Sequence, residues 1–191
     1  MTCSICSQIP DQLSANIGRD HFLPETTAKL VPLGWGSREE DLWKCPQCDN
    51  LYTYYSEQAF TGSGNTDEDV LTRLAPDQAR VVRAVAIAGT VPVDQATQEE
   101  NAFFALPGLA HTVSLTRAYA QNREVVRRFI PRLVAELAKT SSGSYQYRDT
   151  LIGLGKARKD DARRIIDEIR KHTVDKGHPL DWVKQQCEEA L

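Results

Sequence analysis

The sequence predicts an α+β protein, with a small β-rich N-terminal lobe followed by an all-helical C-terminal lobe. The first observation is an uneven distribution of charge: residues 1–70 hold four basic and eleven acidic side chains, whereas the rest of the 191-residue chain holds nineteen basic and fifteen acidic ones. The second is a change in apolar periodicity, from short alternating runs to a repeat near 3.6 residues. We therefore predict two domains, residues 1–65 and 66–191, connected through the turn-forming stretch 61–65.

The N-terminal lobe is predicted to consist of short strands and loops. Residues that favour turns interrupt it at Pro10, Pro24, Pro32, Gly34 and Gly36. A tryptophan-bearing run before Cys45 and a tyrosine-rich alternating run after Cys48 predict a β-hairpin at this point of the chain. The stretch 21–36 is expected to add further strands.

The C-terminal lobe is predicted to contain amphipathic helices at residues 76–88, 109–121, 123–139, 147–157, 160–172 and 180–190. Pro76 and Gly89 provide the start and stop signals of the first helix. Pro131 should kink the third helix or divide it. Successive antiparallel helix pairs of this length resemble HEAT-type repeats, and an irregular helical bundle is the alternative.

Four of the five cysteines form two C-x-x-C pairs, the second of which reads Cys-Pro-Gln-Cys. Both sulfurs of such a pair lie in one tight turn and can reach the same ion, and Zn²⁺ accepts four sulfur ligands in a tetrahedron. Because four thiolates leave no position for water, such a zinc ion is structural rather than hydrolytic. We predict one structural zinc ion bound by Cys3, Cys6, Cys45 and Cys48.

These paired cysteines and Pro46 make roughly the first 60 residues similar to the zinc-ribbon and treble-clef class, whose CPxCG knuckles hold a structural zinc. The chain departs from that pattern at Asp49, which stands where the knuckle usually has glycine. The backbone there must adopt a left-handed conformation or turn differently. A second departure is the 38-residue interval between Cys6 and Cys45, which exceeds what a minimal ribbon needs.

The same residues are also compatible with roles other than a zinc site. The CPQC sequence also resembles a glutaredoxin-type redox motif, but such motifs open a helix, whereas the residues after Cys48 favour a strand. His21 is the nearby imidazole that could replace a sulfur ligand. Cys187 is interpreted as a packing residue of the last helix. We predict no catalytic residues, because no nucleophile, base or open metal position can be assembled.

The expected function is therefore that of a non-enzymatic zinc-binding protein whose helical lobe is a platform for a protein partner, as an adaptor or inhibitor. A basic partner would suit the acidic N-terminal lobe, because four thiolates and one Zn²⁺ lower its charge by about two more. The alternative is a nucleic-acid-associated regulator that uses basic helical faces. Acidic residues lie between these basic residues in the sequence, which is typical of ordinary solvent-exposed helix faces. Those faces would contain Arg123, Arg127, Arg128, Arg132, Arg158, Lys159, Arg163, Arg164, Arg170 and Lys171.

We expect a cytoplasmic protein without membrane contact. Residues 1–13 lack the basic start and apolar run of a secretory signal. The longest apolar stretch, residues 102–110, is about half of what a bilayer span requires and contains Pro107 and Gly108.

Overall fold

The structure, a computed structural model, describes residues 3–16, 23–61, 64–88, 96–140 and 145–191. Within these ranges a five-stranded antiparallel sheet lies in the N-terminal part and eight α-helices follow it, which confirms the predicted α+β class. The described residues up to 117 form one compact unit and those from 118 onward form another. We call them the N-terminal and C-terminal units. None of the described helices combines the length and the apolar character that crossing a membrane would require.

The sheet has the strand order β1-β5-β4-β3-β2. Its strands are β1 (Gln12–Asn16), β2 (Val31–Pro32), β3 (Glu40–Lys44), β4 (Leu51–Thr61) and β5 (Gly64–Arg73). The predicted hairpin is present as β3 and β4, in which Trp43 lies opposite Tyr52. In the described part of the stretch 21–36, the expected further strands are limited to β2, which follows a 3-10 helix at Glu25–Lys29.

Strand β5 carries the sheet past residue 65, where the sequence placed the boundary between domains 1–65 and 66–191. It pairs with β4 from Thr61 opposite Gly64 to Tyr52 opposite Arg73. The turn-forming stretch 61–65 thus connects two paired strands, and its residues 62 and 63 lie outside the described residues. The sheet therefore takes its fifth strand from the segment that was assigned to the helical domain. The sequence did not indicate this strand, because three consecutive acidic residues within β5 interrupt its apolar alternation.

Three helices complete the N-terminal unit: α1 (Pro76–Val82), α2 (Ala96–Phe104) and α3 (Gly108–Gln121), the last of which continues past the end of this unit. The predicted helix 76–88 is present as α1 followed by π-helical turns at Arg83–Ala88. The predicted stop at Gly89 lies outside the described residues. Helix α2 was not predicted, and it ends just before Pro107, which a helix interior would not accommodate.

The remaining helices are α4 (Arg123–Arg128), α5 (Ile130–Ala138), α6 (Tyr145–Ala157), α7 (Lys159–Ile169) and α8 (Pro179–Glu188). Pro131 lies in the first turn of α5, so the predicted helix 123–139 is divided there. Helices α5 to α8 each pack against the other three, as in a bundle. Their fully buried side chains include Ile130, Leu133, Leu137, Leu151, Leu154 and Ile165.

Helices α6 and α8 lie close to each other at Gly155. A Cβ atom at this position would lie 2.6 Å from Sγ of Cys187, which is fully buried in α8. Cys187 therefore packs in the bundle as the sequence suggested, and burial raises the pKa of its thiol to about 11. The small residue allows the two helices to approach each other closely.

We expect Gly155→Ala to destabilise the protein by up to about 2 kcal/mol, because overpacking costs about 1–3 kcal/mol and the higher helix propensity of alanine offsets about 1 kcal/mol of this. The same substitution in a Cys187→Ala background should be neutral or stabilising, because the clashing sulfur is gone. Urea denaturation of the four combinations measures the coupling. Equal costs of Gly155→Ala in the two backgrounds would contradict this packing.

Candidate metal centre

The structure brings together the four cysteines that the sequence singled out. Their four Sγ atoms all lie within 4.8 Å of one another. The Sγ atoms of Cys3 and Cys45 are 3.6 Å apart, and those of Cys6 and Cys48 are 3.4 Å apart. Four sulfurs at about 2.3 Å from a tetrahedral zinc ion would be separated by about 3.8 Å. The cluster therefore has the size and the donor atoms to hold one metal ion.

The first pair of cysteines forms a tight turn, which we call the first knuckle (residues 3–6). The backbone N–H of Ser7 donates to the carbonyl oxygen of Cys3 at 3.0 Å, and a 3-10 helix follows at Cys6–Gln8. The N–H of Cys6 donates to Sγ of Cys3 at 3.5 Å. This backbone donor stabilises the thiolate and is the main reason why the pKa of Cys3 is lowered to about 6.

The second knuckle (residues 45–49) is the tip of the β3–β4 hairpin. The N–H of Cys45 donates to the carbonyl oxygen of Asn50 at 2.9 Å, and the N–H of Asp49 donates to that of Cys45 at 3.0 Å. Asp49 has a φ of 59°, so the chain keeps the left-handed conformation that the resemblance requires, without the glycine. This conformation costs aspartate about 1 kcal/mol. The Asp49 carboxylate pairs with Lys44 at 3.0 Å.

The four cysteines lie against and partly within an apolar cluster of the N-terminal unit. Cys6 and Cys45 are buried, Cys3 is half-buried and Cys48 is exposed. Burial raises the pKa of Cys45, so a metal ion that binds its sulfur must displace a proton. The buried members of the cluster are Ile5, Cys6, Ile9, Leu30, Cys45, Tyr52 and Leu71.

A residue that no sequence pattern indicated links the first knuckle to the sheet. The side chain of Arg73, at the end of β5, donates from Nη2 to the carbonyl oxygens of Cys6 and Ile9, both at 2.6 Å. Its Nε donates to the hydroxyl of Tyr52 at 3.1 Å, and its Nη1 lies 2.9 Å from the Asp11 carboxylate. These contacts depend on the pairing of β5 with the sheet, so no local motif around residue 73 could have revealed them.

The structure bears on the redox alternative for the cysteines but not on the possible ligand role of His21. The residues after Cys48 lead into strand β4 rather than a helix, so the helix N-terminus that a glutaredoxin-type motif uses is not there. His21 lies outside the described residues. Among the residues that the structure describes, no second group of three or more Cys, His, Asp or Glu side chains is arranged to hold a metal ion.

The two knuckles, one of them at a hairpin tip, are the part of the zinc-ribbon and treble-clef resemblance that the structure reproduces. The helices α5 to α8 pack mutually, and their resemblance to HEAT repeats has no further support. No protein-family model, curated protein or solved structure matches this chain, so membership of any of these families stays a prediction.

Proposed function

We propose that this protein is a non-enzymatic zinc-binding protein in which a structural Zn²⁺, held by Cys3, Cys6, Cys45 and Cys48, stabilises the N-terminal unit and the helical part binds a protein partner. The observation that carries the zinc proposal is the convergence of four Sγ atoms, from two knuckles, within 4.8 Å. A set of four thiolates in a tetrahedral arrangement selects zinc or an iron–sulfur site among the common metals. Zinc needs no further ligand in such a set, which leaves no coordination position for a substrate or water.

An exposed aromatic groove in the C-terminal unit supports the protein partner. The groove has a volume of about 370 Å³ and includes Tyr145, Arg148, His178 and Trp182 in its lining. Tyr145 is 68% exposed and Trp182 is 50% exposed, although both are large apolar residues. Tryptophan, tyrosine and arginine are the residues most enriched at energetically important positions of protein interfaces. This groove is therefore the surface where we place the partner.

The basic helical faces offer less support for the nucleic-acid alternative. Arg163, Arg170 and Lys171 pair with carboxylates three residues earlier in the chain, at 3.1, 3.0 and 2.7 Å. Arg127 is largely buried and pairs with Asp161. Phosphate binding needs cationic side chains that are free to replace counterions, and the neighbouring carboxylates oppose this exchange. The charge arrangement therefore favours the protein partner.

The two functions can be separated with two sets of variants of the full chain. Tyr145→Ala combined with Trp182→Ala removes the aromatic groove, whereas Arg128→Glu, Arg163→Glu and Arg164→Glu reverse charge at three exposed positions. We expect crosslinking in the native host to capture a specific protein with the wild type and the charge-reversed variant, and not with the aromatic variant. The nucleic-acid-associated regulator would instead be established if the wild type bound DNA or RNA with submicromolar affinity. This affinity would also have to fall steeply with added salt and be lost in the charge-reversed variant.

A further inference from the structure

The guanidinium group of Arg73 fixes the conformation of the first knuckle. Its two 2.6 Å hydrogen bonds reach the carbonyl oxygens of Cys6 and Ile9, at the start of the 3-10 helix Cys6–Gln8 and just beyond its end. A three-residue 3-10 helix has little stability of its own. The turn that aims Cys3 and Cys6 at the metal therefore depends on a contact with the far end of strand β5.

The same guanidinium also contacts Tyr52, a fully buried residue on the paired strand β4. Nε of Arg73 donates to the tyrosine oxygen at 3.1 Å, and the guanidinium carbon lies 5.4 Å from the centre of the tyrosine ring. These contacts hold the guanidinium in one orientation, in which its Nη2 is directed at the carbonyl oxygen of Cys6. A group that fixes the conformation of a ligand residue in this way plays the role of an outer-shell group of a metal site.

We propose that Arg73, held in place by Tyr52, is the outer-shell residue of the four-cysteine metal centre and controls the rate at which the metal ion is released; this proposal rests on the proposed zinc function. A zinc ion with four thiolates carries a net charge of about −2, which a nearby cation stabilises. Arginine suits this position because its fork of five N–H groups serves several acceptors in one plane, which a lysine ammonium cannot do. Arg73 acts by positioning the ligand residue Cys6, and Tyr52 acts by positioning Arg73, since neither supplies a sulfur to the metal.

The test uses the full chain loaded with Zn²⁺ and measures the rate of zinc transfer to a chromophoric chelator. We expect Arg73→Met to accelerate release about 10- to 100-fold, the range in which outer-shell substitutions weaken metal sites. Arg73→Lys should give an intermediate rate, because lysine keeps the positive charge but lacks the planar set of N–H donors of the guanidinium group. Arg38→Met is the matched control, because Arg38 is an exposed arginine of the same unit.

Tyr52→Phe keeps the buried ring and removes only the hydroxyl that accepts from Arg73, so it tests the outer shell even if Arg73→Met fails to fold. We expect a several-fold faster release and, in the Co²⁺-substituted protein, a shift of the sulfur-to-cobalt charge-transfer band, which altered packing alone would not cause. A wild-type chain that binds no zinc would overturn both the proposed function and this inference. A wild type with one zinc ion, whose Tyr52→Phe and folded Arg73 variants release it at the rate of Arg38→Met with an unchanged band, would overturn the outer shell alone.

Discussion

Removal of the metal ion, by a chelator or by Cys45→Ser, is expected to unfold the sheet of the N-terminal unit and to leave the C-terminal unit folded. Structural zinc sites in small modules contribute apparent binding free energies of about 10–16 kcal/mol, comparable with the whole stability of a domain. The apolar cluster beside the site includes two of its ligands, Cys6 and Cys45, so loss of the metal removes the centre of that cluster. The bundle of α5 to α8 buries its own core and needs no metal.

Amide hydrogen exchange of the full chain measures this effect by region. Protection should disappear in residues 3–16 and 40–73 and persist in residues 145–169. Cys187→Ala is the matched control, because this fifth cysteine lies in α8 and its loss should leave the zinc content at one ion per chain. Full protection of the sheet after chelation would show that the metal does not stabilise the fold.

A second large effect is expected for Arg127→Met in the C-terminal unit. Nε of Arg127 lies 2.6 Å from the Asp161 carboxylate, and the two side chains are only 13% and 9% exposed. Without the arginine, the buried Asp161 carboxylate loses its cationic partner, and the free energy of unfolding should fall by about 3–5 kcal/mol. The basic residues considered for phosphate binding thus include one whose role is structural.

Urea denaturation followed by circular dichroism tests this prediction. Arg163→Met is the control, because the pair of Arg163 with Asp160 is exposed and such pairs contribute about 0–1 kcal/mol. Arg127→Met combined with Asp161→Leu should recover much of the lost stability, because no charge then remains buried at this position. Equal losses for Arg127→Met and Arg163→Met would mean that Arg127 acts as an ordinary surface residue.

The sequence predicted those parts of the structure that local patterns encode. Each C-x-x-C pair fixes its own turn, and the aromatic alternation around Cys45 and Cys48 encodes the β3–β4 hairpin. Pro131 was enough to predict a kink or a boundary, because a proline in a helix interior removes a hydrogen bond, and the structure has a boundary there.

The features that were missed depend on contacts between residues far apart in the chain. Strand β5 has acidic residues in its centre and gains its stability from pairing with β1 and β4. Arg73 contacts residues 67 and 64 positions earlier in the chain, and these contacts exist only once β5 has joined the sheet. Local periodicity contains no information about such contacts, so the role of Arg73 could be found only in the folded chain.

The separation of the two knuckles along the chain has a consequence for the order of folding. Sγ atoms that meet at the metal centre come from residues 42 positions apart. Closing a loop of this length lowers the conformational entropy of the unfolded chain, at a free-energy cost of about 4 kcal/mol, as a disulfide of the same span would. During synthesis the first knuckle emerges well before the second. The four-sulfur site is therefore incomplete until the chain segment that carries Cys45 and Cys48 has been made. The proposed zinc ion can bind all four sulfurs only after the residues of the β3–β4 hairpin have been synthesised.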